Sequence, residues 1–439
     1  MARGGGRPAP LFVKLAARPN GSAEAVAGHQ RARLHAAMIE ACARHGYAGT
    51  TARELAALAG VSTKTIYGHF GSKDACLLAT YDVVVQQAVT RISAAYRAAA
   101  NGPEADRTTG ICRAFDAFSA ELIERPDASR LALVEILAAG PIALPRIERA
   151  EASFTSMISS SFDRRADAGV IPASVVRALI GGVWFVARAR LLQPDPQVIT
   201  ASGAELREWL MSYRLPADSV LAAARPSGSA SAGDARGAVP TSSERSRLLS
   251  AAATLVARGG YETLSPAAVA EVAGLPAAAF GAEFEDVEGC FFAMLEWLSA
   301  DALAEALREG AGASSWGSSV YRALQSLFRR IATDRALARA AFLDVFAVGP
   351  AGYERRAAIM RGFARSLVRR APAGRRPSGL VAEAIVGSIW SLAHRHVLAG
   401  RQQRLPASVP LAAFLALAPT IGAEDALAVA ATEGCLIMR

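Results

Sequence analysis

A run of hydroxyl, amine, imidazole and phenol side chains lies between Thr50 and Leu78, where the sequence reads TTARELAALAGVSTKTIYGHFGSKDACLL. Side chains of these types hydrogen-bond to phosphate oxygens and to base edges in the major groove of DNA. The sequence contains no glycine-rich phosphate loop after a strand, no nucleophile elbow and no His/Glu pair at metal-ligand spacing. The chemistry indicated is therefore recognition of nucleic acid, and neither a catalytic residue nor a metal site is predicted.

Three helix starts in close succession position these groups. Thr51 is predicted to cap a helix that has Glu54 at its third position and that ends at Gly60. Ser62 is predicted to cap a short helix over residues 63–69, and Ser72 a third helix. Two short helices joined by a glycine-containing turn form a helix-turn-helix.

The second helix of this unit leaves its polar residues free to face outward. These residues are Thr63, Lys64, Thr65, Tyr67 and His69. Lys73 falls in the first turn of the next helix, where a cation opposes the helix dipole unless a phosphate lies nearby. The pattern predicts a DNA-contacting surface.

The chain before this unit is basic. Residues 1–73 hold ten Lys/Arg and three Asp/Glu, a net charge of +7 that either attracts phosphate or is simply solvated. Residues 1–28 lack a periodic apolar face and are expected to form a disordered basic arm. Apolar residues at helical spacing predict a helix over 30–45, with Gly46 as its stop.

The motif running from Gly60-Val61-Ser62 through Thr65-Ile66-Tyr67 and His69-Phe70 to Ser72-Lys73-Asp74 resembles the DNA-binding head of the TetR (tetracycline repressor) family. The resemblance covers about 50 residues. It implies a three-helix head on a helical body that binds a small effector and dimerises through its last long helices. It also implies a transcriptional regulator, expected to be a repressor that a small-molecule effector relieves. The partners implied are a double-stranded DNA operator, an unknown small-molecule effector and a second copy of the chain.

The resemblance further implies a role for each polar residue of the head. Arg53, Thr63 and Lys64 would contact base edges, and Ser62, the predicted cap of the second helix, is counted with the DNA-binding residues. The DNA backbone would be contacted by Thr51, Thr65, Tyr67, His69 and Lys73.

The head has a second copy further along the chain. At an offset of 214 residues, positions 31–83 align with 245–297 without a gap and share 14 identities in 53 pairs. Two later motifs repeat at offsets of 209 (around Gly140-Pro141 and Gly349-Pro350) and 206 (around Trp184 and Trp390). We therefore expect two tandem modules.

The second copy has lost seven of the proposed contacts, although its core positions match. Ala267, Pro276, Ala277, Ala278, Gly281, Glu283 and Val287 stand where the first copy has Arg53, Ser62, Thr63, Lys64, Tyr67, His69 and Lys73. The net charge of the aligned segment falls from +2 to −4, which would repel phosphate. The second head is expected to be a structural or partner-binding unit.

Aromatic and sulfur residues in the bodies are candidates for an effector pocket, or alternatively for plain core. In the first body they are Phe115, Phe118, Phe154, Met157 and Trp184, and in the second Phe328, Phe342, Phe346, Met360 and Trp390. Arg188 follows Trp184 on the same helix and would either orient a ligand or be solvated.

Length and composition complete the expectation. The 439 residues, rich in Ala and Leu and only 7% aromatic, predict an all-α chain with two domains. The predicted segments are an arm (1–28), a head (29–76), a body (77–222), a flexible linker (223–243), a degenerate head (244–290) and a second body (291–439).

No signal peptide or apolar run long enough to cross a membrane is predicted, so the location expected is cytoplasmic, and no cofactor is implied. The alternative to a regulator is a protein-interaction or scaffold module with residual DNA binding. The long helices near 174–192 with 202–213, and 379–398 with 408–418, could pair within one chain as a pseudo-dimer. Because such a pseudo-dimer has one competent head, two chains are expected on a palindromic operator.

Overall fold

The computed structural model describes residues 22–100, 107–162, 171–193, 197–213 and 243–436. Every regular element in these ranges is a helix, which confirms the all-α class predicted from composition. Residues 1–21 of the expected arm and 223–242 of the expected linker lie outside the described residues.

The first half of the chain contains nine α-helices in the described ranges. They are α1 (Ala23–Gly49), α2 (Ala52–Ala59), α3 (Thr63–Phe70), α4 (Lys73–Ala100), α5 (Arg107–Glu124), α6 (Pro126–Leu133), α7 (Leu144–Phe162), α8 (Ala173–Leu191) and α9 (Gln197–Met211). A 3-10 stretch, Glu135–Ala143, joins α6 to α7.

The second half follows a similar order of helices. They are α10 (Glu244–Gly259), α11 (Pro266–Ala273), α12 (Ala278–Glu283), α13 (Val287–Ala311), α14 (Trp316–Thr333), α15 (Arg335–Arg339), α16 (Val345–Ala347), α17 (Pro350–Arg370), α18 (Gly379–Leu398), α19 (Val409–Ile421) and α20 (Ala423–Leu436). Short 3-10 or π turns occupy Tyr261–Thr263, Ala340–Asp344 and Gln402–Ser408.

Helix α1 is longer than its apolar spacing predicts. It begins at Ala23, because the Ser22 hydroxyl accepts a hydrogen bond from the Ala25 N–H at 3.3 Å. The predicted arm, residues 1–28, therefore extends too far along the chain, since residues 23–28 are helical. Gly46, the predicted stop, is instead a kink (φ 68°, ψ 165°) after which the helix runs on to Gly49.

The described residues form two compact units whose border differs from the one expected at the linker. The first unit contains Met1–Ser161 and Ala187–Arg207, and the second contains Phe162–Val186 and Glu208–Arg439. The first body expected at 77–222 is therefore not a unit by itself. Helix α8 contributes its residues up to Val186 to the second unit and its last turn to the first.

The reason for this border is the close packing of α8 on α18 inside the second unit. A Cβ added to Gly181 would lie 2.5 Å from Ser391 Cβ, and one added to Gly387 would lie 2.5 Å from Phe185 Cβ. At the offset of 206, Gly181 corresponds to Gly387 and Phe185 to Ser391, so the two contacts are equivalent. Reciprocal contacts of this kind are the signature of a two-fold interface.

The same interface continues along the helices. A Cβ on Gly182 would lie 2.3 Å from Ser388 Oγ, and these two residues are themselves equivalent at the offset of 206. The Tyr213 hydroxyl donates to the Leu415 carbonyl at 2.8 Å, and its ring lies 5.9 Å from that of Phe414. The late helices of both halves therefore pack together within one chain, as a pseudo-dimer requires.

Among the residues that the structure describes, two apolar stretches have the length and hydropathy of a membrane span, although none was predicted from the sequence. They are Pro126–Ser159 and Gln402–Ile421, and 50% and 61% of their most apolar windows are buried inside the protein. Burial to that extent is typical of core helices.

Candidate functional site

The helix-turn-helix of the first head is formed by α2 and α3 and is built by local capping. Thr51 Oγ1 accepts from the Glu54 N–H at 3.2 Å, and Ser62 Oγ accepts from the Thr65 N–H at 3.1 Å. Gly60 ends α2 in the left-handed conformation (φ 60°, ψ 43°). These three predicted positions determine where each helix begins or ends.

Helix α3 has one apolar and one polar face. Ile66 is fully buried, while the Tyr67 side chain is 54% exposed. Thr63 and Lys64 are also exposed, as are Thr51 and Arg53 at the start of α2. The first head therefore presents hydroxyl, ammonium, guanidinium and phenol groups to solvent from two adjoining helix starts.

Two of the predicted contact residues are also tied to the protein. His69 Nε2 lies 2.9 Å from Gln30 Oε1 on α1, and the Thr65 hydroxyl lies 2.9 Å from that of Ser62. Both side chains are half-buried. These bonds fix the orientation of groups at the edge of the exposed face.

Lys73 has protein partners that its sequence position did not reveal. Its Nζ donates to the carbonyl oxygens of Thr50 at 3.0 Å and Tyr47 at 3.3 Å, and lies 4.2 Å from the Tyr47 ring centroid. The carbonyl oxygens at the end of α1 are thus the negative partners of the Lys73 ammonium, for which the sequence predicted a phosphate. An ammonium has three donors, so one remains beyond these two bonds.

A buried carboxylate connects the body to the same end of α1. Glu135, which is 0% exposed, accepts from the Tyr47 N–H at 2.8 Å and from Arg130 Nε at 3.0 Å. The Tyr47 hydroxyl donates to Asp74, and burial, followed by this bond, raises the pKa of Tyr47. Sequence analysis missed Glu135, although its motif repeats around Asp344 at the offset of 209.

Arg33 is a second residue that sequence analysis missed. Its Nη2 donates to the Gly60 carbonyl at 3.1 Å, at the turn between α2 and α3. Arg247 makes the equivalent bond to Gly274 at 2.9 Å in the second head. The repeat could have revealed this contact, because an arginine occurs at both positions at the offset of 214.

A buried histidine lies behind α3. His35 Nδ1 is 2.8 Å from Thr80 Oγ1, whose hydroxyl donates to the Cys76 carbonyl at 2.7 Å, so His35 is the donor to Thr80. Burial, and then the charge of Arg31, lower the pKa of His35 to about 4. His35 is therefore neutral at physiological pH.

The second head has the same local geometry with a different surface. Ser265 caps α11, and Gly274 ends it at φ 63°, ψ 38°, close to the values at Gly60. Helix α12 is shorter than α3 and has no side-chain cap at Ala277. The positions that correspond to the exposed face of α3 carry no side-chain donor: Pro276, Ala277, Ala278 and Gly281.

The candidate effector residues of the first body are divided between the two units. Phe115 and Phe118 have ring centroids 6.5 Å apart, and Phe154 and Met157 are half-buried in the same unit. Trp184 belongs to the second unit.

Arg188 is buried and bonded within the protein. Its Nε donates to the Leu133 carbonyl, and burial lowers its pKa to about 10. Its observed partner is thus a backbone carbonyl. The solvated alternative is excluded, because the side chain is buried.

Two apolar cavities lie in the second half. The smaller, about 60 Å³, includes four of the five aromatic and sulfur candidates predicted there: Phe328, Phe342, Met360 and Trp390. The larger, about 130 Å³, lies beside it, and both are lined by Leu327, Phe363, Val386 and Ile389. Phe346 packs against Trp390 with ring centroids 6.0 Å apart but lines neither cavity.

Residues 34–80 match the family model described as bacterial regulatory proteins, tetR family. This tetR-family match covers α2, α3, most of α1 and the start of α4. No curated protein matches the sequence.

Three solved structures to which this chain is similar each align with about two-fifths of it. The fatty acid degradation regulator FadR from Bacillus halodurans is 16% identical over 40% of this chain and 94% of its own (TM-score 0.36). FadR from Bacillus subtilis in complex with stearoyl-CoA is 16% identical over 41% and 97% (TM-score 0.36). A TetR family transcription regulator from Marinobacter aquaeolei VT8 is 20% identical over 41% and 95% (TM-score 0.34).

Proposed function

We propose that this chain is a sequence-specific DNA-binding transcriptional regulator that reads its operator with the first head only. The observation that carries the proposal is the contrast between two heads of matching local geometry. Gly60 and Gly274 have nearly the same backbone angles, yet the exposed face has Thr63, Lys64 and Tyr67 in one head and small apolar residues in the other. A face without donors cannot hydrogen-bond to phosphate or to bases.

The exposed residues form two groups according to the part of the DNA that each would contact. Arg53, Thr63 and Lys64 stand at the starts of α2 and α3 and would contact base edges. Backbone phosphates would be contacted by Thr51, Thr65, Tyr67, His69 and Lys73, while Ser62 keeps its role as cap. The third donor of Lys73 is the one assigned to phosphate.

The tandem-duplication hypothesis is supported by a charge inversion between the halves. Glu121 binds Arg91 at 2.6 Å and Arg125 at 3.1 Å. At the equivalent positions Arg330 binds Glu305 at 2.9 Å and Asp334 at 3.2 Å. Three coupled charges that all change sign while still pairing indicate two copies that kept one architecture and diverged together.

Regulation by a small effector that releases the operator is part of the same proposal, as is a cytoplasmic location.

The face through which TetR-like bodies are expected to dimerise is occupied within the chain by α8, α9, α18 and α19. A homo-oligomer on DNA would therefore pair through another surface. Light scattering with operator DNA would test this, because two chains per duplex are expected and a 1:1 complex of full affinity contradicts it.

A partner-binding role for the second head is the alternative that has a specific observation behind it. Val272 on α11 is 41% exposed beside the donor-free face of α12. Such a surface fits a protein better than it fits DNA.

The experiment that tests the function selects duplexes from a random pool and measures affinity by fluorescence anisotropy at several salt concentrations. A regulator is expected to prefer its selected duplex at least about 10³-fold over unrelated DNA. It should also lose affinity steeply as salt rises. No preference for any duplex would contradict the proposal.

A further inference from the structure

We propose that the second half of the chain binds the phosphate backbone of double-stranded DNA through helix α17, without reading the base sequence. The site is a row of three exposed arginines, Arg361, Arg365 and Arg369, called the arginine stripe. This inference goes beyond the proposed function, which assigns the reading of bases to the first head and gives the second half no contact with DNA.

The segment that contains the stripe is strongly basic in the second half alone. Residues 355–376 contain eight arginines and no acidic residue, a net charge of +8. At the offset of 209, the equivalent residues 146–167 contain four arginines and four acidic residues, so their net charge is zero. The second half, whose head is acidic, therefore attracts phosphate through its body instead.

The stripe runs along one face of α17. Its members are four residues apart, so they follow one another at intervals of about 6 Å along the helix axis. Salt at physiological concentration screens charges over about 8 Å, so neighbouring guanidinium groups act on a phosphate together. Like charges at this spacing destabilise a helix, and the helix dipole compensates only for Arg369, in the last turn. Arg361 and Arg365 therefore repel each other unless an anion lies beside them.

The protein supplies no such anion. Among the residues that the structure describes, no carboxylate pairs with an arginine of the stripe. Arg355, near the start of the same helix, does have such a partner, because it pairs with Glu296 at 2.5 Å. The stripe's own polar contact is a hydrogen bond from Arg369 Nη2 to the neutral Ser366 hydroxyl at 3.3 Å. Its positive charge is thus available to a partner molecule.

The surroundings of the stripe favour nucleic acid over a membrane or a protein. The apolar face of α17 is turned into the second half, where Ala364 is buried and Phe363 and Leu367 line a cavity. None of the large apolar residues that are exposed in the described ranges lies on α17. The helix therefore lacks the apolar face that inserts into lipid and the apolar centre of a protein interface. Guanidinium groups bind phosphate through paired N–H bonds, and the DNA backbone presents phosphates in a regular row.

The first test uses the unaltered full chain and a DNA duplex of arbitrary sequence. Phenylglyoxal reacts with accessible guanidinium groups, and mass spectrometry of the digested protein measures the reaction of each arginine with and without the duplex. We expect the duplex to suppress the reaction of Arg361, Arg365 and Arg369. Arg258 and Arg335, which are exposed on α10 and α15, should react equally in both samples.

The second test measures affinity for the same duplex by fluorescence anisotropy at several salt concentrations. In Arg361→Gln/Arg365→Gln/Arg369→Gln, the slope of log affinity against log salt should become shallower by about 2 to 3, since each phosphate contact contributes about 0.9. Replacement of the same three residues by lysine keeps the charge and should keep most of the slope. Because all three residues are exposed, the melting temperature should not fall in either variant.

A matched control separates the stripe from overall charge. Arg258→Gln/Arg329→Gln/Arg335→Gln removes three charges from exposed residues on α10, α14 and α15, and so lowers the net charge by the same amount. This control should keep the slope of the parent.

Three results would overturn the inference. The first is an unchanged reaction of the stripe with phenylglyoxal when the duplex is present. The second is an equal change of slope in the stripe variant and the control, which a general charge effect would produce. The third is protection by phosphatidylglycerol vesicles or by single-stranded RNA in the absence of protection by the duplex. Both tests use DNA of arbitrary sequence, so a chain that prefers no duplex would refute the proposed function while the stripe would still be tested.

Discussion

Glu135 accepts a hydrogen bond from the backbone N–H of Tyr47 at 2.8 Å, although 88 residues separate the two in the sequence. The carboxylate is completely buried and is paired with Arg130 at 3.0 Å. The bond joins the 3-10 stretch of the body to the kinked end of α1, so the orientation of the head depends on a residue outside it.

Removing this carboxylate should destabilise the first half strongly. Glu135→Ala leaves the Arg130 guanidinium and a backbone donor without their partner, and the expected loss is about 3 kcal/mol. Glu135→Gln keeps an acceptor for Tyr47 and should lose less. Thermal unfolding checks the order of the two variants, and equal stability of Glu135→Ala and the parent would contradict it.

The buried His35 predicts a loss of stability in acid. Its folded pKa of about 4 lies below the ordinary histidine value of about 6.5, so the unfolded chain binds the proton more readily. The contribution is complete above pH 6.5 and falls by about 3 kcal/mol as the pH drops to 4. His35→Leu, which places in the first head the residue found at Leu249, should flatten this part of the stability curve. An unchanged slope between pH 6.5 and 4 would show that His35 does not titrate as described.

Tyr67 and Lys73 should respond differently to replacement by alanine. Tyr67 is 54% exposed, so Tyr67→Ala should weaken binding to all duplexes alike without lowering the melting temperature. Lys73→Ala also removes the bonds to Thr50 and Tyr47, and should therefore lower both affinity and stability. Calorimetry combined with anisotropy distinguishes them, and a loss of stability in Tyr67→Ala would count against the exposed reading face.

The inverted charge clusters predict a rescue experiment. Arg330→Glu places an acid among Asp301, Glu305 and Asp334 and should cost about 3 kcal/mol or more. Adding Glu305→Arg and Asp334→Arg copies the arrangement of the first half around Glu121 and should restore most of the loss. Chemical denaturation of the single and triple variants measures the coupling, and additive losses would refute it.

Local signals allowed the head to be predicted almost completely from sequence. Thr51, Gly60 and Ser62 act within four residues of their own positions, so their types and spacing are sufficient to place α2 and α3. The early start of α1 was missed because residues 23–28 have no apolar periodicity, and a single cap at Ser22 starts the helix.

Contacts between distant segments account for what the sequence did not reveal. The partner of Lys73 is backbone, which has no signature in side-chain spacing. The sequence predicted Arg188 as a ligand-orienting or solvated group, because its burial and its bond to the Leu133 carbonyl depend on a segment 55 residues away. The packing of Gly181 on Ser391 depends on how α8 meets α18, and two glycines alone do not specify the opposing helix.

The central claim, that only the first head reads DNA, is tested most directly by giving it the surface of the second. Thr63→Ala, Lys64→Ala and Tyr67→Gly together install the residues found at Ala277, Ala278 and Gly281. Anisotropy titrations with a selected duplex at several salt concentrations compare this chain with the parent and with Glu283→Ala/Glu285→Ala, the matched change in the second head. We predict that the first variant loses its preference for the selected duplex and has a shallower salt dependence, while the second differs from the parent only by a general charge effect. Retained preference in the first variant, or its loss in the second, would contradict the account.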